Sequence, residues 1–178
     1  MVNLNANRID RLLGIAGWLL LAVAAAFVVY YVVTVPVEGS FGERFVTSEV
    51  SLFYPFNQVS VFKPITLITY FIFAGTVLLL EAYKKRVIAF DTRGVRAILL
   101  TASFASGYEV IWNFFAWFAA WEKNGGSMDI LANTTHSYST LPANFNFATK
   151  ISFLVFALCL YGWFFLQRNA ENGKPSRR

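Results

Sequence analysis

Four uninterrupted apolar runs, each about as long as a bilayer is thick, constrain this chain more than any other feature. They cover about residues 12–35, 64–83, 95–121 and 147–167. A hydrocarbon core of about 30 Å needs about 20 apolar residues in a helix. Inside that core every backbone N–H and C=O must be satisfied within the chain, which leaves helices as the economical way for such runs to cross. The remaining sequence is too short for a separate globular core. At 57% hydrophobic and 14% charged, the chain belongs with polytopic membrane proteins. The predicted fold is an all-α integral membrane protein, a four-transmembrane-helix bundle forming one membrane domain over residues 1–178. The connecting segments are outer loops 36–63 and 122–146, a cytoplasmic loop 84–94 and a cytoplasmic tail 168–178.

Charge sets the expected orientation, because short cytoplasmic loops collect Lys and Arg. Eleven cations (Arg8, Arg11, Lys84, Lys85, Arg86, Arg93, Arg96, Arg168, Lys174, Arg177 and Arg178) fall on one side, against Arg44, Lys63, Lys123 and Lys150 on the other. With their acids, the two sides carry +7 and −1. Both termini are therefore expected in the cytoplasm, and the basic pI of 9.5 is a consequence of topology that gives no reason to expect a nucleic-acid partner. Ala24-Ala25-Ala26 offers a signal-peptidase-like site, but an apolar run of about 24 residues suits a retained anchor better than the shorter core of a signal peptide.

Chemistry-bearing residues are few. The chain has one Cys, Cys159, near the middle of the last run, and one His, His136, in the second outer loop. Neither outer loop can close a disulfide, which sets the chain apart from tetraspan families with disulfide-bonded outer loops. A bis-His haem, a Cys/His zinc site and a Cys/His catalytic couple all lack ligands within one subunit. No cofactor and no metal are expected; Glu122, Asp129 and His136 share a loop but have irregular spacing.

The residue that asks for an explanation is Glu109, near the centre of the third run. An ionised side chain at the middle of a spanning helix costs roughly 2.5–3.5 kcal/mol, so such residues usually face the bundle interior. Positions 102, 106, 109, 113, 116 and 120 keep the 4-3 rhythm of one helical face and read Ala, Ser, Glu, Asn, Ala, Ala. The other side holds Leu100, Phe104, Ile111, Phe115 and Phe118. Small residues let helix backbones approach in lipid, so this face is expected to point inward, with Ser106 and Asn113 hydrogen-bonding Glu109. In the fourth run Ala148, Ser152, Val155, Cys159 and Gly162 make a comparable face, and Ser152 and Cys159 are expected beside the acid. Thr69 and Thr76, with Thr66, supply hydroxyls from the second run; Gly14, Gly17 and Ala22 to Ala26 provide packing in the first.

Two further patterns stand out. The halves share spacing: Arg8-x-x-Arg11, Pro55-x-Asn57, Lys63 and Gly75 against Arg93-x-x-Arg96, Pro142-x-Asn144, Lys150 and Gly162, with eight residues from Pro to Lys and twelve from Lys to Gly in each. This suggests two parallel helical-hairpin repeats about an axis along the membrane normal. The outer loops are long. The first carries Phe41, Phe45, Phe53, Tyr54, Phe56 and Phe62, suited to the headgroup level or a neighbouring subunit. The second has a turn signal at Asn124-Gly125-Gly126 and a glycosylation sequon at Asn133.

Three function classes follow. The first is a non-catalytic integral membrane subunit that packs, through its small-residue seams and aromatic outer loop, within a larger membrane complex or a homo-oligomer, in contact with membrane lipids. The second is a small proton- or cation-handling transporter or channel using Glu109 at mid-membrane, with Ser106, Asn113, Thr69 and Thr76 along the route. The third, an enzyme acting on lipid or quinone, has no visible nucleophile and base pair.

Overall fold

A computed structural model describes residues 4–34, 43–48, 50–53, 59–88, 93–123, 125–126 and 145–172. The order of elements is α1 (Leu4–Val33), α2 (Glu43–Thr47), β1 (Val50–Phe53), β2 (Val59–Phe62), α3 (Pro64–Ala82), α4 (Lys84–Ile88), α5 (Arg93–Lys123) and α6 (Phe145–Asn172). Among the described residues the protein is helical apart from one short antiparallel hairpin, in which Val50 pairs with Phe62 and Phe53 with Val59.

Three helices are long and apolar enough to cross a membrane, over Asn7–Val33, Pro64–Ala82 and Phe147–Ala170. This makes the chain a membrane protein by composition. The fourth expected span is a different case. At 31 residues, α5 reaches about 46 Å at 1.5 Å per residue, so length is ample. Glu109 and Asn113, with the Ser and Gly residues between Thr101 and Gly107, dilute its apolar character.

The long helices form two antiparallel hairpins. In the first, Phe27 of α1 meets Phe71 of α3, with ring centroids 6.4 Å apart, while Gly14, between three and four turns earlier on α1, lies near Ala82 and Tyr83 at the far end of α3. In the second, Gly107 of α5 faces Phe156 of α6 and Gly162 faces Leu99. Between the hairpins α3 and α6 run parallel: Lys150 Nζ donates to Thr66 Oγ1 at 2.8 Å, the Phe73 and Tyr161 rings meet edge to face at 6.1 Å, and Arg168 pairs with Glu81 at 3.0 Å. The order of packing is α1, α3, α6, α5. The four helices therefore stand in a row with α3 and α6 central, and α5 packs principally on α6.

The crossing of α1 and α3 explains its glycines. A Cβ on Gly17 would lie 2.9 Å from the Gly75 carbonyl oxygen, and one on Gly75 would lie 3.0 Å from that of Gly17. Two backbones meet here, with the Leu21 and Leu79 side chains packed against the same glycines, and such close approach is how small residues drive association where lipid removes the hydrophobic effect.

At the opposite end from the N-terminus, Pro64 opens α3 at its first turn, where its missing N–H costs nothing. Phe45 of α2 is buried there with Ile65 and Ile68, and Phe27, Tyr31, Phe147 and Ile151 pack around the three. This part of the aromatic loop packs into the row between α1, α3 and α6. The second hairpin ends differently: Gly125 and Gly126 both take positive φ, 64° and 78°, and donate to Glu122 O and Trp121 O, a glycine C-cap at the expected turn. Phe41, Tyr54, Phe56, Asn133 and His136 fall outside the described residues.

Candidate functional site: the α5 seam and the cleft beside it

Most of the small and polar face expected on α5 is covered. Ala102, Ser106, Ala116 and Ala120 are half-buried and Asn113 is 6% exposed. The seam is centred on Leu99, Ser103, Gly107, Val110 and Asn113. Ser103 is 3% exposed, and the Gly107 Cα comes so near the Phe156 ring that a Cβ would stand 3.0 Å from it. The bulky side behaves as expected, with Leu100, Phe104, Ile111, Phe115 and Phe118 all exposed.

Glu109 departs from the inward position that its helical face implied: its side chain is exposed. The cause is geometric. At 100° per residue, the contact with α6 centres between Ser106 and Val110, and Glu109 falls on the flank, beyond the reach of α6. Among the described residues no hydrogen bond or ion pair reaches its carboxyl. The supporting groups are occupied elsewhere. Ser106 Oγ donates to Ala102 O at 2.6 Å and Ser103 Oγ to Leu100 O at 2.9 Å, the back-bonding Ser makes inside helices. Ser152 and Cys159 are half-buried on α6, with no hydrogen bond to Glu109 among the described residues.

The hydroxyls of α3 belong to another place. Thr66, Thr69, Tyr70, Thr149 and Lys150 line a cleft of about 510 Å³ between α3, α6 and α5, together with the apolar Phe73, Val110, Phe153, Leu154 and Ala157. Thr69 Oγ1 donates to Thr66 O at 2.9 Å, and Lys150 reaches the Thr66 hydroxyl. Val110 contributes to this cleft and Glu109 does not; Thr76 is half-buried on α3 and lies outside it. The structure thus brings Ser106 and Asn113 together in one seam, puts Thr69 in a separate cleft, and leaves Glu109 facing outward.

Two polar links were less visible from sequence. Glu81 Oε1 accepts from Arg168 Nη2 at 3.0 Å and from the Tyr161 hydroxyl at 3.3 Å. Arg96 Nη1 donates to Gln167 Oε1 at 2.7 Å. Both tie the cation-rich ends of neighbouring helices, and both join residues more than 70 positions apart, for which no local pattern exists. No metal-binding group of three or more His, Cys, Asp or Glu occurs among the described residues.

No family model, no characterised protein and no solved structure matches this chain. Function therefore has to be argued from the geometry alone.

Proposed function

We propose that the chain is a non-catalytic integral membrane subunit that packs within a larger membrane complex or with copies of itself, using the flank of α5 that carries Glu109. The observation that carries this reading is the exposure of that carboxylate. In a helix at bilayer depth it would face acyl chains, at roughly 2.5–3.5 kcal/mol if ionised, unless another polypeptide covers it. A partner helix supplying a hydroxyl, amide or cation at that level would remove the penalty and convert it into a register-setting contact. The composition of α5 points the same way. It is the long helix least suited to lipid by itself, and it leans on the rest of the chain mainly through α6.

In this reading α5 is the fourth crossing and both termini are cytoplasmic, as the cation asymmetry suggests. The paired hairpins are descendants of one duplicated hairpin: Gly75 and Gly162 each pack on the outer helix of their own hairpin, as equivalent positions would. The alternative, proton or cation handling by Glu109, has less behind it, since no described cavity joins the acid to Thr69 or Thr76.

The test is purification from native membrane in a mild detergent, with native gels for Glu109→Ala and Glu109→Gln. The proposal expects a companion protein or an oligomer that Glu109→Ala disperses and Glu109→Gln largely retains, because the amide keeps size and hydrogen bonding. A monomer without companions, indifferent to both changes, would contradict it.

A further inference from the structure

At the cation-rich end a second cleft, of about 840 Å³, opens between α1 and the junction of α3 with α4. Its construction starts at Tyr83. This residue ends α3, its N–H bonded to Leu79 O, and its own carbonyl accepts from the N–H groups of Arg86 and Val87 at 2.9 and 3.1 Å. The chain thus restarts as a helix at once and carries Lys85 and Arg86 back to the cleft, where they meet Arg11 of α1. The Arg86 guanidinium lies 5.8 Å from the centre of the Tyr83 ring, a cation–π contact that steadies it. Three cations line this end against one carboxylate, Asp10.

The lining changes character along α1. From Arg11 it passes to Ile15, then Trp18 and Leu19, then Ala22, one turn at a time along a single helical face. From Ile15 to Ala22 the apolar part of the lining rises about 10 Å, about two thirds of the roughly 15 Å of one leaflet's hydrocarbon. A soluble anion would fill only the charged end, and an uncharged apolar chain would leave the three cations with Asp10 as the one counter-charge in the lining.

We propose that this cleft binds an anionic membrane phospholipid, its phosphate held by Arg11, Lys85 and Arg86 and one acyl chain laid along Trp18, Leu19 and Ala22. The recognition is charge complementarity at the headgroup, where basic pockets between helices select acidic lipids, joined to an apolar track for the upper part of one acyl chain.

The test uses the full-length chain in neutral detergent, with phosphatidylglycerol or phosphatidylcholine of identical acyl chains added and retained lipid read by native mass spectrometry. The expected result is one phosphatidylglycerol retained in preference to phosphatidylcholine by roughly tenfold, the scale of one or two charge-assisted hydrogen bonds. The preference should vanish in Arg11→Gln/Lys85→Gln/Arg86→Gln and persist in Lys63→Gln/Lys150→Gln, which removes the same kind of charge from the opposite end. Ala22→Phe, which keeps every cation and blocks the track, should lower retention of both lipids, and it decides the matter if the triple variant does not fold. Excess glycerol 3-phosphate should leave the lipid bound. Equal retention of the two lipids, an unchanged preference in the triple variant, full retention in Ala22→Phe, or displacement by glycerol 3-phosphate would overturn the proposal.

Discussion

Gly17 and Gly75 touch backbone to backbone: a Cβ on either would stand within 3.0 Å of the other's carbonyl oxygen. The first hairpin is built on that contact. In lipid, where apolar side chains gain little by leaving the solvent, such proximity is a main source of helix association.

Gly17→Leu should therefore separate α1 from α3. The added side chain meets backbone, which cannot swing away, and overpacking of this kind costs typically 1–3 kcal/mol. Thermal unfolding in detergent should show a clearly lowered midpoint. Gly94→Ala is the control, because nothing lies within 4 Å of its Cβ position, and its midpoint should not fall.

Gly107→Ala tests the second hairpin with a softer obstacle. The new methyl would stand 3.0 Å from the Phe156 ring, a side chain that is able to give. A loss of about 1 kcal/mol is expected, and Phe156→Leu in the same chain should recover much of it. Non-additivity in the double-mutant cycle is the readout.

Phe45→Ala should destabilise the protein more than either. Phe45 is 6% exposed and joins α2 to Ile65 and Ile68, and truncation of a buried Phe costs about 3–5 kcal/mol. Chemical denaturation in mixed micelles would measure it; a change within experimental error would remove α2 from the packed core.

The Glu81–Arg168 pair should matter little by itself. Its side chains are 32% and 47% exposed, and exposed pairs contribute about 0.2–1 kcal/mol, less in high salt. A double-mutant cycle with Glu81→Gln and Arg168→Gln should return coupling in that range. A much larger value would mean that the pair is shielded by a partner or by lipid.

The helices and their pairing were largely legible in the sequence, because bilayer length and backbone satisfaction leave a chain of this composition few choices. The three qualifying spans match their expected runs, with α1 extended by polar turns at its start. The role of Gly17 as packing and the glycine turn after α5 were also readable.

The side on which Glu109 lies was not. A 4-3 pattern of small residues marks a sector of helix, but the axis of contact is set by what the neighbour presents, here Phe156 against Gly107. That rotation brings Ser103 and Val110 under α6 and carries Glu109 out. A closed bundle would have hidden both flanks of α5; a row does not. The β1–β2 hairpin was missed although its signal is present: Val50-Ser51-Leu52-Phe53 and Val59-Ser60-Val61-Phe62 are β-branched, alternating segments on either side of Pro55 and Asn57. The burial of Phe45 had no such signal, since an aromatic suits an interface and a core equally.

The central claim, that protein and not lipid covers the Glu109 flank of α5, is tested most directly by spin-label accessibility in native membranes. In a Cys159→Ser background that keeps Glu109, Ala105→Cys and Trp112→Cys, exposed positions on its flank, would be labelled and their collision with dissolved oxygen compared with that of Phe104→Cys, a position 79% exposed on the same helix. The account predicts low oxygen access at 105 and 112 and high access at 104. Equal, high access at all three would contradict it.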